Sequence, residues 1–278
     1  MKFYVGVGQQ SQIMWAKDRF MLSFQVIRKR KHVWGIPDHY EWIMDSGAFS
    51  ELKKNGKYTY EPEEYLDRVE IWQPDYFVSM DWMCEREQLK LTGKTIPEHQ
   101  QLSLDNQIRL TELLEDSWIK DHTQLIGCIQ GFEIPEYLEH IDMLREHGMI
   151  LPYMGIGSVC RRAADNQIIK VIRAIRKELP DTKLHGFGVK TTMLKNPVTY
   201  DCLDSVDSQA WCMTGWKLSY NDGRRLLGEP CLVHDWKHCH RDTDDCANCG
   251  RFMRNWVEKN QTLIDNNGYQ TKIYDSSI

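Results

Sequence analysis

Short apolar runs alternate with longer amphipathic ones along most of the chain. Strands are expected at Phe3–Gly8, Trp42–Gly47, Tyr76–Asp81, Gln124–Gly131, Tyr153–Val159, Leu184–Val189 and Ser205–Trp211. Most of these runs are rich in Val, Ile, Tyr or Phe and bounded by Gly, Asp or Pro, as buried strands are. Between them the pattern predicts helices over Met14–Lys31, Pro62–Trp72, Pro97–Leu114, Pro135–His147 and Ala163–Leu179, with a short piece near Lys190–Lys195. In Pro135–His147, Leu138, Ile141 and Leu144 recur at helical spacing with charges between them. Pro62 opens its helix with Glu63 and Glu64 in the first turn, where the helix dipole favours them.

Strand–helix alternation repeated this often predicts a parallel sheet with right-handed crossovers. Seven strands are legible, and an eighth at Cys231–Val233 would close a barrel. The alternative is an open doubly wound sheet. The barrel is preferred because polar or glycine positions end strand after strand: Asp45-Ser46-Gly47, Asp81, Gln130-Gly131, Gly157-Ser158, Gly188 and Asp207. A barrel gathers all those ends in one mouth, whereas an open sheet gathers only a few at its switch point. The expected fold is therefore α/β, a (β/α)8 TIM-type barrel with a small C-terminal zinc-binding subdomain. Residues 1–230 form the catalytic barrel in this reading. Residues 231–278 form the zinc-binding part, with a helix at Arg251–Ile264 packed on the barrel.

Composition narrows the class. A hydrophobic share of 41% and a charged share of 27% exclude a disordered or coiled-coil chain. No apolar run approaches the ~20 residues that cross a bilayer. The start, MKFYVGVGQQSQ, lacks the long apolar core of a signal peptide, so a cytoplasmic protein of a bacterial or phage-infected cell is expected. The net charge of −5 means that a nucleic-acid partner needs a local basic face. The odd count of nine Cys points to a reducing compartment. Cys84, Cys128, Cys160, Cys202 and Cys212 are scattered in or beside apolar segments and read as small buried hydrophobes.

Three Asp residues sit at strand ends: Asp45, Asp81 and Asp207. A single Asp there commonly caps the next loop or helix. Three in one mouth raise one another's pKa values and suit acid/base work. No His-x-His lies on the early strands and no Lys lies within a strand. That argues against a metal-dependent hydrolase and against a Schiff-base enzyme. A carboxylate nucleophile with a carboxylate base remains, which suits displacement at an anomeric carbon.

Cys231, Cys239, Cys246 and Cys249 crowd among His234, His238 and His240. Cys246-x-x-Cys249-Gly250 is a knuckle that wraps one Zn²⁺. A redox Cys-x-x-Cys would follow an early strand and open a helix, and this one comes too late. Cys246 and Cys249 are the expected ligands, with Cys239 third and His234 fourth; Cys231, His238 and His240 are substitutes. Four protein ligands make the metal structural. No organic cofactor is expected.

The set Asp45-Ser-Gly-Ala-Phe49, Gly127-Cys-Ile-Gln-Gly131, Gly155-Ile-Gly-Ser158, Phe187-Gly-Val189 and Asp204-Ser-Val-Asp207, in that order, resembles the tRNA-guanine transglycosylase (queuine/archaeosine tRNA-ribosyltransferase) superfamily. The likeness spans roughly residues 41–250. That superfamily is a (β/α)8 barrel that exchanges guanine in a nucleic acid for a 7-deazaguanine. The resemblance implies Asp207 as the nucleophile at C1′ and Asp45 as the general acid/base. It implies Asp81 as acceptor for the base's N1–H and amino group, and Gln130 with the Gly157-Ser158 backbone as readers of its carbonyl edge. Phe49 and Phe187 would sandwich the ring. A flat guanine-like base needs an acceptor, donors and apolar plates of this kind; for the two Phe, packing at the barrel top is the plainer alternative. The zinc pattern departs from the family's Cys-x-Cys-x-x-Cys with a downstream His. Asp244 stands where the first Cys would be, and no His follows Cys249.

The chain looks closest to the compact DNA-guanine transglycosylases, the DpdA proteins of phage and bacterial DNA modification. It is expected to lack the C-terminal RNA-binding modules of some relatives, and Ala210–Trp216 stands in place of their basic stretch after the nucleophile. DNA and a free 7-deazaguanine such as 7-cyano-7-deazaguanine are the expected partners, with tRNA as the alternative. A non-catalytic nucleic-acid-binding subunit is a further one. Arg161-Arg162, Lys190, Lys217 and Arg224-Arg225 are expected to hold phosphates, and Trp211 or Trp216 to stack or wedge beside a flipped guanine, unless they pack in the core. Arg28–Lys31 is expected to end a helix on the face away from the mouth.

Overall fold

The computed structural model of the chain describes residues 1–159, 165–214 and 250–266. The apolar runs form eight parallel strands: β1 (Lys2–Val7), β2 (Arg19–Ser23), β3 (Glu41–Asp45), β4 (Tyr76–Val78), β5 (Gln124–Ile129), β6 (Tyr153–Ile156), β7 (Lys183–Gly186) and β8 (Ser205–Ser208). Each pairs with the next, and β8 pairs with β1 to close the barrel. Helices α1 (Gln10–Ile13), α2 (Phe24–Ile27), α3 (Ala48–Asn55), α4 (Pro62–Trp72), α5 (Arg86–Thr92), α6 (Ile96–Asp116), α7 (Ile134–Glu146), α8 (Asp165–Glu178) and α9 (Pro197–Cys202) follow the strands; α10 (Gly250–Asp265) comes last.

The stretch Met14–Lys31, expected as one helix, instead holds β2 and the short α2. Its pattern misleads because β2 is buried on both faces. Phe20 and Leu22 pack outward against the helices while Met21 points into the barrel. A strand buried on both sides shows no polar alternation. The eighth strand expected at 231–233 lies outside the described residues, and β2 completes the barrel in its place.

Side chains alternate across every strand, so two cores form. Tyr4, Met21, Ile43, Val78, Ile126, Cys128 and Tyr153 fill the barrel interior. Phe3, Phe20, Trp42, Met44, Phe77, Leu125, Ile156 and Leu184 face the helical ring. Cys84, Cys128 and Cys202 are buried thiols, as expected of scattered Cys; Cys212 is half-buried, and Cys160 lies outside the described residues. α6 starts at a capping box in which Thr95 and Glu98 satisfy each other's backbone N–H groups. α10 joins the ring through buried Phe252, Met253 and Val257, and its Trp256 ring lies 5.8 Å from that of Phe3.

Candidate active site

The period-two alternation turns Asp45, Phe187 and Asp207 into the barrel at the C-terminal ends of β3, β7 and β8. Asp81, Gln130 and Gly157-Ser158 lie just past β4, β5 and β6. Asp45, Phe49, Asp81, Gly157, Ser158, Phe187 and Asp207 all line one cavity of about 380 Å³. Gln130 lies beneath it, fully buried.

Asp207 is held by one oxygen. Its Oδ1 accepts from the Gly188 N–H at 2.7 Å and faces His185 Nε2 at 3.3 Å. Its Oδ2 takes no hydrogen bond among the described residues. His185 is buried one inward position before Phe187. Its Nδ1 lies 2.6 Å from Ser205 Oγ, which in turn bonds the hydroxyl of Tyr153. With an ionised Asp207 and a neutral His185 the direction of this chain follows: the carboxylate only accepts, so His185 presents Nε2–H to Asp207 and Nδ1 as a lone pair. Ser205 donates to that lone pair and accepts from Tyr153. Burial pushes the Tyr153 hydroxyl well above its ordinary pKa, so it keeps the proton it donates.

Asp45 Oδ2 accepts from the Gly47 N–H at 3.0 Å, and Gly47 takes a left-handed φ of 82° to start α3. The backbone is tied on both sides of Asp45: Tyr65 donates to the Met44 carbonyl at 3.0 Å and Tyr60 to that of Ser46. Burial, then the charge of Asp207, pushes the Asp45 carboxyl up to about 6.

Asp81 lies on a stretch without repeating structure, and α6 holds that stretch from behind. The inner face of α6 is polar. Asn106 donates to the Met80 carbonyl at 2.7 Å, Ser103 Oγ accepts from the Trp82 N–H at 2.8 Å, and His99 Nδ1 lies 2.7 Å from the Met83 carbonyl. Gln107 accepts from the Cys128 N–H at 2.9 Å, and Gln100 donates to the Gln130 carbonyl at 2.8 Å. Gln130 donates its amide to Asp81 Oδ2 and accepts from Ser158 Oγ at 2.7 Å. The Gln130 N–H donates to His140 Nδ1 at 2.8 Å. Burial takes His140 down to about 4, which keeps that nitrogen an acceptor. Burial, then Asp45 and Glu85, raises Asp81 to about 7. Gly157 has no alternative here, since a Cβ on it would fall on the Gln130 carboxamide; at Gly155 a Cβ would fall on the Phe187 ring.

The cavity thus holds one carboxylate oxygen with no hydrogen bond among the described residues, a second carboxyl poised between protonation states, and a third, Asp81, in company with Phe49 and Phe187. His185 is absent from the sequence-based expectation because a lone His inside a strand forms no motif; only its inward phase, two residues before Phe187, could have marked it. Gln25, Met83 and Gln209 also line the cavity without a sequence signal.

Trp211 is corrected as a wedge. It is fully buried and donates its indole N–H to the Gly6 carbonyl at 2.8 Å, so it packs the barrel top. Lys190 Nζ lies 3.6 Å from Asp165. Arg28 follows β2 by a few residues and pairs with Glu64 at 2.6 Å, rather than ending a long helix. Arg161, Arg162, Trp216, Lys217, Arg224 and Arg225 lie outside the described residues, as do His234, Cys239, Cys246 and Cys249. Among the described residues no three His, Cys, Asp or Glu are grouped as a metal site.

The closed parallel barrel, with a carboxylate-lined cavity at the C-terminal strand ends, puts the molecule in the class of TIM-type α/β barrels, whose sites lie at that face. A family model matches residues 1–268, and the chain belongs to that family, DpdA, DeoxyPurine in DNA protein A. The family points to DNA modification by a guanine transglycosylase, a pentosyltransferase. No curated protein matches the sequence. No helix among the described residues is long and apolar enough to cross a membrane.

Proposed function

We propose that the protein exchanges guanine in DNA for a free 7-deazaguanine through a covalent Asp207–C1′ intermediate. The observation that carries this reading is Asp207 itself. Its Oδ1 is tied by two donors and its Oδ2 is free, in a cavity shared with Asp45, Asp81 and two Phe rings. The target guanine is flipped or already single-stranded, because a stacked duplex hides C1′ and the base edge. Asp207 Oδ2 attacks C1′ and the C1′–N9 bond breaks. Neutral Asp45 gives its proton to N9 of the departing guanine. The incoming base loses its N9 proton to Asp45 and attacks C1′, and the C1′–O bond to Asp207 breaks. A carboxyl near pKa 6 suits a group that must give and take a proton in one cycle. Asp81, in the ionised form it takes above about pH 7, accepts from the N1–H and amino group, with Gln130 fixing its orientation. Ser158 and the Gly157-Ser158 backbone face the carbonyl edge, and Phe49 and Phe187 cover the faces. His185 is a positioning residue for the nucleophile. Cys246, Cys249, Cys239 and His234 hold a structural Zn²⁺ in this reading.

The test is incubation of the protein with DNA, with tRNA and with labelled 7-deazaguanines, followed by mass analysis of nucleosides. Label in DNA is expected; label only in tRNA refutes the DNA substrate. A denaturation-resistant enzyme–oligonucleotide adduct, absent in Asp207→Ala, is expected. Its absence in the unaltered protein excludes the covalent step and leaves a non-catalytic binding role.

A further inference from the structure

In the reading above the cavity takes the target nucleotide, so the rest of the strand must cross the rim. We propose that the DNA strand beside the target nucleotide is gripped by a lysine ridge on α3 and α5. The inference rests on the DNA reading above. α3 begins in the mouth, where Ala48, Phe49 and Ser50 line the cavity. One turn on, Lys53 Nζ lies 5.5 Å from the centre of the Phe49 ring. Lys54 and Lys57 are exposed beyond it. The end of α3 abuts the end of α5: a Cβ on Gly56 would come within 3.2 Å of the Leu91 carbonyl oxygen. Exposed Lys90 and half-buried Lys94 flank that point. Arg86, in the first turn of α5, lies 5.2 Å from the Phe132 ring just past β5.

Residues 48–57 and 86–94 thus carry six basic side chains against two acidic ones, in a chain whose net charge is −5. Of the two acids, Glu51 is buried and bonded to Asn55 and Thr59. None of the six cations forms an ion pair with a described residue, whereas Arg28, Arg109, Arg145 and Arg176 all do. Helix dipoles favour Lys in a last turn, which accounts for Lys53, Lys54 and Lys90. They do not account for Lys57, Lys94 or the meeting of both helix ends on one flank of the mouth. Unpaired like charges so placed repel one another, and a phosphodiester chain relieves that repulsion while releasing its counterions. α3 alone is about 12 Å long, enough to track several phosphates spaced ~3.4 Å along a stacked strand.

The experiment compares two triple variants of the full chain that change net charge equally. One is K53Q/K54Q/K90Q on the ridge. The other is K120Q/K177Q/K183Q, exposed on the opposite face. Binding of a labelled guanine-containing oligonucleotide is followed by anisotropy across a salt series. The ridge triple is expected to lose roughly tenfold or more in affinity at 0.15 M salt, and its log–log salt slope to fall by about 2. The other triple is expected to keep both. The KM for DNA should rise in the ridge triple while that for the free base stays unmoved, and K53R/K54R/K90R should restore DNA binding. Equal losses in both triples, or none in the ridge triple, overturn the ridge. An unaltered protein that binds no DNA at any salt overturns the DNA reading, and the ridge with it.

Discussion

Replacing Asp81 by Asn should make the protein more stable and less active. In the fold the Asp81 carboxyl titrates near 7 rather than at its ordinary 3.8, chiefly because it is buried and secondly because Asp45 is close. The folded protein therefore binds this proton more tightly than the unfolded chain does. The resulting penalty is absent below pH 3.8 and grows as pH rises toward 7. A shift of three units corresponds to about 4 kcal/mol once both states are ionised. Asn escapes that penalty but must still be satisfied beside Gln130, so a net gain of about 2–4 kcal/mol is expected at pH 8. For 278 residues the unfolding entropy is about 0.6 kcal/mol per kelvin, so the melting temperature should rise by roughly 3–7 °C. Calorimetric melts of both proteins at pH 8 and pH 5 test this. At pH 5 the gain should shrink to less than half, because the unaltered carboxyl is then largely protonated. A variant that melts no higher at pH 8, or gains equally at both pH values, refutes the reasoning. The same substitution removes the anionic acceptor, so the KM for the free base should rise about tenfold or more.

His185→Phe keeps the ring but removes the Nε2–H donor to Asp207; a lost hydrogen bond to a charged group is worth about 1.5–3 kcal/mol, so adduct formation should slow roughly 10- to 100-fold with the KM for the base unchanged. Gly157→Ala drives a methyl into the Gln130 carboxamide, and thermal melts should show a loss of about 1–3 kcal/mol together with weaker base binding. Elemental analysis of purified protein should find one zinc per chain, falling in Cys246→Ser and Cys249→Ser, while an unchanged metal content would remove the zinc assignment.

The barrel was legible because strand ends carried polar residues that only a closed sheet could gather. Asp45, Asp81 and Asp207 followed from that one geometric idea, and the cavity does unite them. β2 escaped because Phe20, Met21 and Leu22 are all buried, so the run carries no period at all. His185 escaped for a related reason. Its importance comes from the register that sets it directly across from Ser205, and register is a property of two strands together. The depth of Gln130 was equally hidden, since nothing in Gly-Cys-Ile-Gln-Gly tells a residue that touches a ligand from one that aims its neighbour.

The polar inner face of α6 has a consequence for how such a site can change. The stretch that carries Asp81 takes its shape from Ser103, Asn106 and His99, on a helix outside the barrel. Substitutions there replace no residue that lines the cavity and still alter the angle at which Asp81 points into it. Under the proposed function, variation in the accepted base can therefore accumulate one layer behind the cavity, where Asp45 and Asp207 need not be disturbed. A library confined to α6 is a direct way to search for new base preferences in this scaffold.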